Sequence, residues 1–285
     1  MLEVEQGNGY EVGVNHLFDR TREELHQMNS IHDEPAPVAS QTKVPISSSA
    51  PSFLNWTAQG KVTSVKNQGR CGSCWAFAAI ATAESFLLMK GKADLDIDLS
   101  EQFALECTPG SSCDGGHSYL AFDEMRKGVP TEEAYPYDPY SSHFGICSAS
   151  DLVYVANENE RYYDISESQV ITLLQGGPLA IYVAADGWEY YHSGIFRCNY
   201  WDRMDHAVLL VGYGEDFWLI KNSWGDDWGE QGYMKISRNK HQDCLVGDYV
   251  FLLKDNPCSD SKCLRCSDTG RCLECKDDKA FVSGG

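Results

Sequence analysis

The sequence predicts an α+β fold, a helical half followed by a β-rich half. Helix-forming residues concentrate between Ser73 and Lys127, whereas short β-prone runs separated by glycines fill the stretch after Tyr162. The 285 residues are 42% apolar, enough to bury a substantial core and too many for a disordered chain. Halves of this kind pack against one another and leave a cleft between them, where sites often lie.

Taken in order, the first 28 residues are polar, with a strand-like patch at Tyr10-Glu11-Val12-Gly13-Val14 and a short helical signal from Thr21 to Met28. Residues 29–52, rich in Ser, Pro and Ala, read as a linker. The clearest helix runs from Ser73 to Lys90, without an internal Pro or Gly, and Gly91 stops it. Ser100 caps a second helix reaching Cys107, on which Glu101 and Glu106 are expected to face solvent. A third covers Ser118 to Lys127. The β half contains Leu179–Val183, His206–Val211, Phe217–Ile220 and Tyr233–Ile236, which suggest a small antiparallel sheet or barrel.

The 23 basic and 42 acidic residues leave a net charge of −19. That excludes nucleic acid and anionic membrane as main partners, because both need a basic face. No apolar run approaches the roughly 18–20 residues of a membrane helix. Twelve cysteines indicate an oxidising compartment. The start, Met1-Leu2-Glu3-Val4-Glu5, lacks the basic and apolar stretches of a secretory signal. The expectation is a signal removed or left out of this sequence.

Chemistry concentrates at Gln68-Gly69-Arg70-Cys71-Gly72-Ser73-Cys74-Trp75-Ala76-Phe77, directly before the strongest helix. The helix N-terminus favours thiolate at a cysteine placed there. The pair Cys71 and Cys74 is open to three readings: a redox dithiol, half of a zinc site, or a structural cysteine beside a nucleophile. A nucleophile needs a base held by a third group. His206, opening an apolar strand after Met204-Asp205, is the best placed of eight histidines. By position alone it could equally be a structural histidine. Asn222, in Lys221-Asn222-Ser223-Trp224-Gly225, could orient it under cover of Trp224, or simply form a turn.

Together these segments, with Cys113-Asp114-Gly115-Gly116, Trp228-Gly229 and Gly232-Tyr233, resemble the papain family of cysteine peptidases, its cathepsin-L-like branch in particular. The resemblance covers roughly residues 11–253. It implies a two-lobed fold with a helical lobe, an antiparallel β lobe and the cleft between them. It implies an endopeptidase acting through a thioester: Cys74 as nucleophile, His206 as acid and base, Asn222 orienting the ring, and the Gln68 side chain as oxyanion donor with the Cys74 backbone N–H. Asp205 tunes the electrostatics, and Gly115 and Gly116 admit an extended substrate. The pocket for the second residue before the cut is drawn from His117, Ser118, Tyr182, Met204 and Tyr249, with a preference for Val, Leu or Ile. The implied disulfides are Cys71–Cys113, Cys107–Cys147 and Cys198–Cys244. No cofactor and no metal are expected.

The resemblance also sorts the ends. Gly13, Asn15, Leu17 and Asp19 resemble the second half of an inhibitory propeptide that crosses the cleft against the substrate's direction, with Asp19 as the acid-sensitive latch. The expected division is 1–49 partial propeptide and linker, 50–253 peptidase domain and 254–285 cysteine-rich tail, with maturation near residues 45–51. The tail, Cys258-x4-Cys263-x2-Cys266-x5-Cys272-x2-Cys275, could hold zinc, but two disulfides among its last four cysteines are preferred. Asn55-Trp56-Thr57 is a candidate glycosylation site. The expected protein is a monomeric zymogen, lysosomal, vacuolar or secreted, acting on polypeptides and held by its own propeptide. The alternatives are an inert binding protein working through its tail and an acyltransferase on the same scaffold.

Overall fold

The computed structural model describes residues 9–32, 44, 46–47, 49–140, 147–156, 158–199, 203–239, 243–255, 263–266 and 272–275. Cys258, together with Pro45 and Ser48 of the expected maturation stretch, lies outside the described residues.

An N-terminal arm comes first, with β1 (Tyr10–Val12) and α1 (Arg22–Met28). Thr21 and Glu24 form a reciprocal capping box that starts α1. The helical lobe follows β2 (Leu54–Asn55) and contains α2 (Cys74–Met89), α3 (Glu101–Cys107) and α4 (Ser118–Met125). Apolar residues lie all round α2, and its buried positions run from Cys74 to Leu88; it is the central helix of this lobe. Ser100 caps α3 by accepting the Phe103 N–H.

The second lobe contains β3 (Glu158–Tyr163), α5 (Glu167–Leu174), β4 (Leu179–Val183), β5 (Tyr191–Phe196), β6 (His206–Tyr213), β7 (Phe217–Lys221), β8 (Tyr233–Ser237) and β9 (Tyr249–Lys254). The strand order is β1-β5-β8-β7-β6-β4-β9-β3, with β2 also pairing β6. The expected antiparallel sheet has one exception, since β5 and β8 run parallel. One apolar cluster lies within the helical lobe and another around the sheet. The arm contributes fully buried Leu17 and Met28 to the sheet cluster. Beyond the body, β10 (Cys263–Cys266) pairs antiparallel with β11 (Cys272–Cys275).

Glu101 and Glu106 do not face solvent as expected. Glu101 is 2% exposed. It is held by Lys66 Nζ at 2.8 Å, which also reaches Glu84 at 2.9 Å and Asp98 at 2.7 Å. Burial pushes the Glu101 carboxyl up to about 8. Burial also opposes the charge on Lys66, but Glu101 and Glu84 outweigh it and hold the ammonium above its ordinary value. Half-buried Glu106 accepts from Gln102 and from the Tyr135 hydroxyl. Short helix α3 is walled in on both sides, so charge alone does not mark its outer face.

Candidate active site

Cys74 is the first residue of α2 and His206 the first of β6, so the lobe boundary brings a thiol and an imidazole to one cleft. Both side chains are fully buried. His206 Nε2 lies 2.8 Å from Asn222 Oδ1. The same oxygen accepts the Ser223 N–H at 2.8 Å, which fixes the amide's orientation. Nε2 therefore donates, and Nδ1 carries the lone pair. Nδ1 finds no hydrogen-bond partner among the described residues. The Trp224 ring packs 5.0 Å from the imidazole, and Trp188, which the motifs did not single out, stands edge-on at 6.1 Å. These indoles keep water from the His–Asn bond. Asp205 accepts the Ala185 N–H through Oδ1 at 2.9 Å.

The helix terminus contributes at most about 2 kcal/mol toward thiolate. Burial outweighs it and pushes the Cys74 thiol up to about 12, with Asp205 adding in the same direction. Burial likewise drives His206 down to about 4, against the bond to Asn222. With the arm in place, burial thus favours the neutral thiol and the neutral imidazole.

The arm contributes to that burial. Cys74 Sγ faces the Ser30 carbonyl at 3.9 Å. Gln68 Nε2 donates to Met28 O at 2.8 Å and to Cys71 O at 2.9 Å. Ser223 Oγ donates to Gln68 Oε1 at 2.6 Å and so turns the amide nitrogen toward the cleft. The expected oxyanion donor is thus occupied by an arm carbonyl. Ile31 forms a parallel bridge with Gly116, and the His32 N–H reaches Gly116 O at 3.3 Å.

The two cleft glycines serve different purposes. A Cβ on Gly115, whose φ is +126°, would meet the His32 ring at 2.7 Å and Ser30 O at 3.1 Å. A Cβ on Gly116 would meet Trp75 at 2.5 Å and Ser111 at 2.6 Å, so its smallness serves packing beneath the cleft. Gly72 was not singled out, yet a Cβ there would meet the Gln27 and Cys113 carbonyls, each at 2.5 Å.

Upstream, β1 pairs antiparallel with β5. The Gly13 N–H bonds Tyr190 O at 2.9 Å, and Asn15 Nδ2 bonds Glu189 O at 2.9 Å. Asn15 Oδ1 caps the Leu17 N–H at 2.9 Å. Asp19, expected to be a paired latch, is exposed and has no hydrogen bond or ion pair among the described residues. The turn at Asn15–Leu17 already fixes the chain, and Asp19 points away from it into solvent. The arm's polar contacts with charged side chains of the body are Glu24, 3.4 Å from Arg70, and His16, 2.9 Å from Asp227.

Of the expected specificity residues, Met204 and Tyr249 are partly exposed and pack, with Ile31 of the arm, against the helical-lobe cluster. Tyr182 is fully buried. Its hydroxyl accepts the Ser118 N–H at 2.9 Å, and its ring stacks on Tyr249 at 5.8 Å. Ser118 spends its hydroxyl on Trp75 O at 2.8 Å. Tyr182 and Ser118 are thus fully buried and hydrogen-bonded to one another beneath the arm. His117 is 9% exposed, its ring 5.5 Å from His32. Three disulfides join Cys71 to Cys113, Cys107 to Cys147 and Cys198 to Cys244, and Cys74 is a free thiol. Asn55 sits half-buried in β2, its Oδ1 accepting the Ala58 N–H at 3.0 Å. Among the described residues no helix is long and apolar enough to cross a membrane.

Fold and cleft define a cysteine peptidase with a segment of its own chain across the active site. The chain belongs to the papain family of cysteine proteases, whose family description matches residues 50–253. It is 36% identical to ananain of Ananas comosus over 82% of this chain and 70% of that one. Procathepsin L of Mus musculus is 33% identical, over 83% of this chain and 75% of its own. The solved structure of digestive procathepsin L2 from Tenebrio molitor superimposes with a TM-score of 0.74 at 31% identity, covering 86% of this chain and 84% of the other. The protein is a cysteine endopeptidase made as a zymogen.

Proposed function

We propose that Cys74 is the nucleophile, His206 the acid and base, Asn222 the residue that orients the ring, and Gln68 the oxyanion donor. One observation carries this reading: the Nε2–H bond to Asn222 leaves a buried Nδ1 lone pair in the cleft that holds the free thiol. With the arm withdrawn, Nδ1 takes the thiol proton and sulfur attacks a peptide carbonyl. Gln68 Nε2, relieved of Met28 O, stabilises the oxyanion, a contribution of about 3–4 kcal/mol for such a donor. The imidazolium then protonates the leaving amine, and the ring activates water to hydrolyse the thioester.

Residues 1–49 act as the inhibitory segment, 50–253 as the peptidase domain and 254–285 as the cysteine-rich tail. The parallel bridge at Gly116 supports inhibition by an arm read backwards, its carbonyls out of place for attack. The packing of Ile31, an aliphatic arm residue, against the same cluster as Met204 and Tyr249 supports Val, Leu or Ile as the second residue before the cut. The three disulfides support a lysosomal, vacuolar or secreted setting. The protein acts as a monomer.

Paired substitutions test the assignment. Cys74→Ser abolishes turnover in a folded protein, because a hydroxyl is far less acidic than a thiol. Cys71→Ser loses about 2–5 kcal/mol of stability with the bridge to Cys113, while whatever remains folded still turns over. Turnover by Cys74→Ser would reverse the roles. A peptide library showing Phe preferred over aliphatic residues would refute the pocket.

A further inference from the structure

The tail strands place four cysteines at the two ends of one short ladder. The Cα partners across β10 and β11 are Cys263 with Cys275 and Cys266 with Cys272, with Arg265 opposite Glu274 between them and the register shifting on either side of Arg265. We propose that the tail is closed by two cross-strand disulfides, Cys263–Cys275 and Cys266–Cys272.

Four cysteines allow three pairings. Partners facing one another on antiparallel strands have Cα atoms about 4.5–5.5 Å apart, inside the roughly 4.4–6.8 Å range of a disulfide. Pairing within each Cys-x-x-Cys would have to span three residues of extended strand, about 10 Å. The crossed pairing, Cys263 to Cys272 and Cys266 to Cys275, is offset along the ladder by a similar distance. Only the facing pairing fits the register. A zinc ion would hold all four sulfurs about 2.3 Å from one point, which extended strands with cysteines at both ends oppose. The remainder of the chain points the same way: six of its cysteines are oxidised in pairs. A two-stranded hairpin of four-residue strands is also marginal in water without a staple, and the two bridges supply one at each end.

The sequence offers a direct assay. Full-length Cys74→Ser protein, alkylated without reductant to prevent exchange, is digested with trypsin and a Glu-specific protease. Cleavage after Lys262, Arg265, Arg271, Glu274 and Lys276 leaves every one of the four cysteines on its own peptide. Mass spectrometry is expected to find Cys263-Leu264-Arg265 linked to Cys275-Lys276, and Cys266–Arg271 linked to Cys272-Leu273-Glu274. Any other linkage overturns the pairing. Four separate alkylated peptides, with or without one zinc per chain in native mass spectra, would overturn the disulfides altogether.

Discussion

Cys74 and His206 stay neutral while the arm covers them, because burial moves the thiol up to about 12 and the imidazole down to about 4. Alkylation of the full chain at pH 7 should therefore be slow and should rise only toward high pH. Deletion of residues 1–49 rehydrates the pair, so thiolate should become reactive below neutrality; identical pH profiles for the two proteins would contradict this account. Acid release follows from Glu24. The Thr21 N–H, and then Arg70 and Arg20, hold its carboxyl below the ordinary value. Thr21 and Arg20 belong to the arm itself, so only the Arg70 part of that depression is gained on docking, and that part is lost as pH falls through the docked value. Glu24→Gln keeps the cap acceptor and removes only the charge, so the onset of activity should move to higher pH. Asp19→Asn should leave it where it is. The positions proposed as catalytic were legible in the sequence because three short motifs carry them. The burial of Tyr182 and the occupation of Gln68 were not, because their partners Ser118 and Met28 lie 64 and 40 residues away.

Among the elements, α2 and β6 were readable from continuous apolar runs, and α3 from its Ser100 cap. β3 was not, since Glu-Asn-Glu-Arg gives no β pattern and the strand exists through its full-length pairing with β9. β5, with an internal Gly194 and a parallel partner in β8, was equally hidden. The outward reading of Glu101 failed because Lys66, 35 residues earlier, neutralises it. Lys66 is therefore the keystone of a buried cluster at the foot of α2 and α3. Lys66→Met removes the cation bonded to Glu84 and Glu101, leaving Lys221, which bonds Thr63, as the remaining buried amine acting on them. Measured above pH 8, where Glu101 is ionised, the loss should reach about 3–5 kcal/mol, seen as a lower denaturant midpoint. An unchanged midpoint would mean the carboxyls are neutral in the folded protein.

For the molecule as a whole, latency depends on the arm touching both lobes. It pairs with β5, lays Met28 and Leu17 into the sheet cluster and crosses Cys74 toward Gly116. Deleting residues 1–49 should give activity at neutral pH without acid treatment, whereas the full chain should need it; equal activity of the two would remove the arm from regulation. Gly115→Ala, which sets a methyl group against the His32 ring and strains a backbone at φ +126°, should weaken the arm's hold, read as faster alkylation of Cys74 in the full chain before acidification.

The place of β1 in the sheet has another consequence. It is the terminal strand of the order, so in the zymogen Tyr191–Phe196 is an interior strand. Once the arm is gone, that strand becomes a border with unsatisfied N–H and C=O groups, open to any extended chain of matching register. Maturation thus creates two vacancies, one at the cleft and one along the sheet. The second is a short edge, the length of the three residues of β5 that the arm had paired.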